Sequence, residues 1–241
     1  MKFNSETELK AIALSDASAR QVLDQAGLDY CCGGTKSLQE ACLGSSVSAE
    51  EILNRLREKT AENSCGDDVN WMATPLRELT RHIRETHHRY VRQAIPRLRS
   101  LLDQVIARHG ETHRELPNIG AAFNEVAREM VMHMQKEEQI LFPYIDALEL
   151  AVSQHESVEP PFFQTVKNPI YAMIREHDAA GEMVKRIRGL SGDYTVPADA
   201  CTAFTTLYQG LKEFESDLHQ HVHLENNILF PRAAEMEDSA A

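Results

Sequence analysis

From about Trp71 to Glu235, apolar residues recur at alternating spacings of three and four, the pattern of helices that bury one face. Four long helices are predicted. The first begins near Thr74-Pro75, with proline in a first turn that needs no N–H from it, and runs to His109-Gly110. The second follows Pro117-Asn118 and runs to about Leu150, the third spans Val166 to Leu190, and the fourth runs from near Pro197 to about Glu235. The stretch 151–165, with Pro160-Pro161, is the longest connection, and no strand-like alternation competes. Short connections between long amphipathic helices predict an all-α antiparallel four-helix bundle.

Residues 1–62 read as a small helical domain. Asp16 caps a helix from Ala17 to Ala26 that stops at Gly27, Ser37 caps a short helix ending at Gly44, and Ser48 ahead of Ala49-Glu50-Glu51 fits a capping box. Between them, Tyr30-Cys31-Cys32-Gly33-Gly34 forms a tight turn. The run from Asn63 to Asp68 has no periodicity, so the expected division is a domain at 1–62, a linker at 63–74 and the bundle at 75–241.

Composition narrows the function classes. The 241 residues carry a net charge of -12, and Lys and Arg are interleaved with acids, so no basic face for nucleic acid is visible. The first fifteen residues lack a basic stretch followed by an apolar run, and no apolar segment approaches the roughly 20 residues of a membrane span. The odd set Cys31, Cys32, Cys42, Cys65 and Cys201 argues against a disulfide framework. A cytoplasmic protein that binds neither nucleic acid nor membrane is expected.

Chemistry enters where the stripes break. Helix two carries Ile119, Phe123, Val126, Met130, His133, Glu137, Ile140 and Tyr144 on its core face, and helix four carries Phe204, Leu207, Leu211, Phe214, Leu218, His221, Glu225 and Ile228. Each stripe is interrupted once, by a His and a Glu one turn apart. Burying an ionised Glu without a partner costs several kcal/mol, and a metal ion supplies a partner to carboxylate and imidazole together. Helix three adds His177 on the stripe Ile170, Met173, His177, Gly181, Val184, with Gly181 leaving room beside the imidazole. Helix one offers His82, His87 and His88; His88 heads the stripe Val91, Ile95, Leu98, Leu102, Val105, whereas His87 continues Leu76, Leu79, Ile83, and periodicity does not choose between them. Imidazoles and carboxylates without thiolate suit iron or manganese better than structural zinc, and two carboxylates able to bridge suit a dinuclear centre. The competing reading makes every one of these an ordinary helix residue, and His109, His113, His155 and His219 are read that way, as surface histidines.

The segments Arg81-His82-Ile83, His87-His88-Arg89, Glu176-His177-Asp178, His133-Met134-Gln135-Lys136-Glu137-Glu138-Gln139-Ile140-Leu141-Phe142-Pro143 and His221-Val222-His223-Leu224-Glu225-Asn226-Asn227-Ile228-Leu229-Phe230-Pro231, with the Asp29-Tyr30-Cys31-Cys32-Gly33-Gly34 turn, resemble the bacterial repair-of-iron-centres family of the hemerythrin-like superfamily. The resemblance covers nearly the whole chain. It implies a non-haem di-iron centre with oxo and carboxylate bridges, held by His88, His133, Glu137, His177, His221 and Glu225. It further implies restoration of iron–sulfur clusters damaged by nitric oxide or oxidants, through nitric oxide reduction to nitrous oxide or through iron donation. A nitric oxide or oxygen binder that senses or scavenges without turnover is the alternative. Glu129 and Glu176 match acidic positions of the family, with roles beside the ligands or on a path for iron or protons, and Cys31 and Cys32 match its cysteine pair, with a thiol function. The implied partners are nitric oxide or another small diatomic and damaged iron–sulfur proteins, and the resemblance is compatible with a homodimer.

Overall fold

The computed structural model describes residues 3–31, 33–43, 45, 47–62, 69–156 and 161–240. The expectations for Cys32, Gly44, the run 63–68 (which holds Cys65) and Pro160 lie outside these residues. Four short helices come first: α1 (Leu9–Ala13), α2 (Ala17–Gln25), α3 (Leu38–Cys42) and α4 (Ala49–Glu62). Their caps follow the local chemistry. Asp16 accepts from the Ala19 N–H, Ser37 and Glu40 form a reciprocal capping box, and the Ser48 hydroxyl accepts from the Glu51 N–H at 3.2 Å. Gly27, at φ +66°, closes α2 in a conformation other residues rarely adopt. Leu9, Ile12, Leu23, Tyr30, Leu38 and Ile52 form a core for these helices.

Four long rods follow. The first is α5 (Leu76–Ile83), a π turn (Arg84–His88) and α6 (Arg89–His109); the second is α7 (Leu116–Lys136), a π turn (Glu137–Leu141) and α8 (Phe142–Gln154). The third is α9 (Lys167–Leu190), and the fourth is α10 (Thr202–Leu224), a π turn (Glu225–Leu229) and α11 (Phe230–Ala240). The fourth starts at Thr202 rather than near Pro197, because the Ala200 N–H closes a turn onto the Pro197 carbonyl and Cys201 is extended at ψ 170°.

Two π turns have a cause in the sequence. Pro143 and Pro231 have no N–H for the carbonyls of Gln139 and Asn227 four residues back, and their rings crowd those carbonyls. The helix accommodates each proline by widening the turn ahead of it. A π turn holds about one residue more than an α turn, so the buried face rotates beyond it. The expected stripe on helix two is therefore corrected after Glu137: Ile140 is 38% exposed and Tyr144 half-buried, while Leu141, Phe142, Ile145 and Leu148 face inward. In the first rod the same widening buries both His87 and His88.

Two apolar clusters fill the bundle. One contains Ile83, Phe142, Met173 and Phe230; the other contains Val91, Met130, Ala180 and Leu218. Along the first and third rods the chain passes from the former cluster to the latter, and along the second and fourth in reverse, as antiparallel packing requires. The His and Glu residues of all four rods fall between the two. Phe123 and Phe214 meet edge to face in the larger cluster, with centroids 5.4 Å apart. Phe214→Ala should cost about 3–5 kcal/mol, read from denaturant unfolding of the metal-free chain.

Candidate metal centre

The layer between the clusters holds six buried side chains. His88, His133, Glu137, His177, His221 and Glu225 are at most 1% exposed. They form two overlapping groups, His88 with His221 and His133 with His177, and each group includes both Glu137 and Glu225. In each group the four ligand atoms lie within 4.8 Å of one another. His88 Nε2 is 3.4 Å and His133 Nε2 3.2 Å from Glu137, and His177 Nε2 is 3.1 Å and His221 Nε2 3.0 Å from Glu225. Yet both Glu137 oxygens, one Glu225 oxygen and His88 Nε2 are buried without a hydrogen-bond partner among the described residues. Although His221 Nε2 pairs with Glu225 and His177 Nε2 with His133 Nε2, each at 3.0 Å, the unpartnered oxygens and nitrogen that converge beside them fit a cation, and the donor set fits iron or manganese.

The electrostatics of the bare chain agree. Burial disfavours charge on His133, but the Glu137 carboxylate beside it and the hydrogen bond to Glu176 overcome that and push it up to about 10. Burial likewise opposes charge on Glu225, yet His221 and His177 hold it well below the usual carboxylate range. Without a metal, the carboxylates are compensated only by protonated imidazoles.

A second layer fixes the rings. His88 Nδ1 pairs with Glu138 at 2.7 Å, His133 Nδ1 with Glu176 at 3.0 Å and His177 Nδ1 with Asn226 at 2.8 Å. Each contact occupies Nδ1 and leaves Nε2 facing the carboxylates, the arrangement that orients metal-bound histidines. The His133 hydrogen bond, with Lys136 adding, holds Glu176 down to about 2. Glu138 and Asn226 were not singled out by the stripes, because they lie off the core face. A signal for them exists: each directly follows a cage Glu, and the segments from His133 to Pro143 and from His221 to Pro231 align residue for residue.

The remaining candidates fall elsewhere. His87 pairs with Asp217 at 2.9 Å and stacks on His221, and His82 stacks on Trp71. Glu129 pairs with Arg128 on a half-exposed face. Gly181 lines a groove of about 690 Å³ against the N-terminal helices, together with Cys31, Asp178 and Lys185. Cys31 is buried, and its thiol donates to Asp29 Oδ1 at 3.2 Å. His219, read as a surface histidine, approaches Asp24 of the N-terminal helices at 3.4 Å. At the far end of the bundle His113 sits between Glu115 and Asp199, near His109. Its slight burial is outweighed by these carboxylates, which raise its pKa above the usual imidazole value of 6.5.

Glu138→Ala should weaken divalent metal binding by about 10–100-fold, measured by chelator competition. Asp199→Asn tests the other end. A raised folded-state pKa contributes stability that is complete below the unfolded value and is lost as pH rises through the folded one. The wild-type advantage should be complete below the usual imidazole value of 6.5 and shrink as pH rises past it, read as a closing gap between the two variants' thermal melts.

Residues 80–233 match the hemerythrin HHE cation binding domain, and residues 5–60 match a domain of unknown function, DUF542. The chain is 34% identical over 228 residues to a probable iron-sulfur cluster repair protein of Haemophilus influenzae, covering 95% of this chain and 96% of that one. It is 33% identical to the iron-sulfur cluster repair protein YtfE of Musicola paradisiaca, with 95% and 96% covered. Its identity to the protein of that name in Yersinia pseudotuberculosis is 32%, with 93% and 95% covered. With its His and Glu layer inside a matching hemerythrin-type bundle, the chain belongs to the iron–sulfur cluster repair family of hemerythrin-like proteins.

Proposed function

We propose that the cage holds two irons bridged by Glu137 and Glu225, and that the protein uses them in the cytoplasm to restore iron–sulfur clusters damaged by nitric oxide or oxidants. The observation that carries this reading is the overlap of two four-residue groups in the same two carboxylates. A mononuclear site would not need a second pair of histidines converging on the same glutamates. The relatives' names supply the link to cluster repair. The absence, among the described residues, of a helix long and apolar enough to cross a membrane agrees with a cytoplasmic setting. In this reading residues 1–62 are a domain of their own, supported by their separate apolar cluster, joined through 63–74 to a bundle domain at 75–241.

Two ferrous ions held there would supply two electrons, which with two protons convert two nitric oxide molecules to one nitrous oxide and one water. The chain's part is to hold and exclude. Each of the four histidines offers Nε2, while Glu138, Glu176 and Asn226 fix three of the rings through Nδ1. The apolar clusters on either side keep bulk water from the layer, which strengthens every charge interaction within it. The same burial suits a cage that takes a small diatomic and excludes larger molecules.

The test is anaerobic purification, iron analysis, and addition of nitric oxide to the reduced protein with headspace gas measured. About two irons per chain and near-stoichiometric nitrous oxide, with reactivation of a nitric oxide-damaged iron–sulfur enzyme, are expected. A stable nitrosyl spectrum without gas would favour scavenging or iron donation. A chain without iron after reconstitution would sink the cage.

A further inference from the structure

Three cage histidines are held at Nδ1, two by carboxylates and one by an amide. Glu138 and Asn226 occupy the same place in the two aligned segments. A carboxylate serves the histidine well, since it only has to accept from Nδ1–H. The amide at 226 has a second capacity, a donor, and that donor is used: Asn226 Nδ2 is 3.2 Å from the backbone carbonyl of Cys31. Its orientation follows from the partners. The Cys31 carbonyl can only accept, so the Asn226 NH₂ faces it, the amide oxygen faces His177, and His177 Nδ1 is the N–H that donates to it.

Asn227 repeats the grip on the preceding residue. Its Nδ2 donates to the Tyr30 carbonyl at 3.2 Å and lies 3.0 Å from His223 Nδ1. Two adjacent amides on the fourth rod thus hold two consecutive carbonyls of the turn. Cys31 is 7% exposed and packs into the bundle's larger apolar cluster, not into that of the N-terminal helices. A thiol so far buried at the edge of the groove reacts slowly until the turn lifts.

We propose that Asn226 is a positioning residue that couples seating of the Cys31 turn to occupancy of the metal cage. The coupling rests on the metal reading of the cage and not on its chemistry toward nitric oxide. A metal ion that fixes His177 fixes the amide that holds Cys31, and a lifted turn leaves the amide free to release His177. By linkage the two effects are equal and of the same sign: metal favours seating of the cysteine turn by the factor by which seating tightens the metal. This gives the cysteine-bearing turn a defined relation to the cage, in which the thiol becomes reactive when the metal leaves.

The test is alkylation of the full-length protein with iodoacetamide, iron-loaded and chelated, with Cys31 followed by peptide mass spectrometry and the half-buried Cys42 as internal reference. Cys31 should be labelled at least about fivefold faster without metal, at an unchanged Cys42 rate. Asn226→Asp still accepts from His177 but turns a carboxylate toward the Cys31 carbonyl, so at saturating iron it should label as rapidly as without metal. Asn227→Ala should label faster in both states while preserving the metal-dependent ratio. Metal-independent labelling of the wild type, or a ratio that survives in Asn226→Asp, overturns the coupling. A wild-type chain that holds no iron overturns cage and coupling together, whereas normal iron with metal-independent labelling overturns the coupling alone.

Discussion

Two carboxylates buried between apolar layers are the constraint on which the rest of this molecule depends. Glu137 and Glu225 have no exposed surface, and three of their four oxygens lack a hydrogen bond among the described residues. Leaving such charges uncompensated costs several kcal/mol each, comparable to the whole net stability of a domain. The four inward imidazoles, the second layer of Glu138, Glu176 and Asn226, and the sealing clusters on both sides make sense around that demand. Each places a cation, or in its absence a proton, where the carboxylates require it.

The backbone meets the demand by departing from the regular helix. Three of the four rods widen into a π turn at or beside a ligand: at His88, at Glu137 and at Glu225. In two of them a proline beyond the turn removes an N–H that a regular α-helix would use. The widening lets a polar layer share a helix with apolar residues on both sides, because the inward face is reset where the layer ends. It also places Glu138 and Asn226 where they reach histidines on neighbouring rods. Irregular turns of this kind recur at functional sites because they re-aim side chains without ending the helix.

Much of this was legible in the sequence, for identifiable reasons. The stripes Val91-to-Val105 and Phe204-to-Leu218 are plain helical periodicity, and the rods they predict are present. The His and Glu interruptions lie on those same stripes, so the face they share could be read directly. Where the reading stopped, a register change or a tertiary contact intervened. Ile140 continues the stripe arithmetically, but the arithmetic assumes an unbroken α-helix. His87 and His88 could not be separated by period because the widened turn buries both. The bonds from Asn226 and Asn227 to Cys31 and Tyr30 span about 195 residues of sequence, and only the folded chain brings them together.

The pairing within the layer has a consequence for how the molecule assembles. The first two rods supply His88, His133 and Glu137; the last two supply His177, His221 and Glu225. Each four-residue group draws one histidine from each half, His88 with His221 and His133 with His177, and one carboxylate from each. Neither helical hairpin contains a complete site. An ion seated there is a cross-link between hairpins, formed only after they have closed and opposing their separation for as long as it stays. An ion held there would also report on assembly, since a chain whose halves have docked out of register offers it no complete group of ligands.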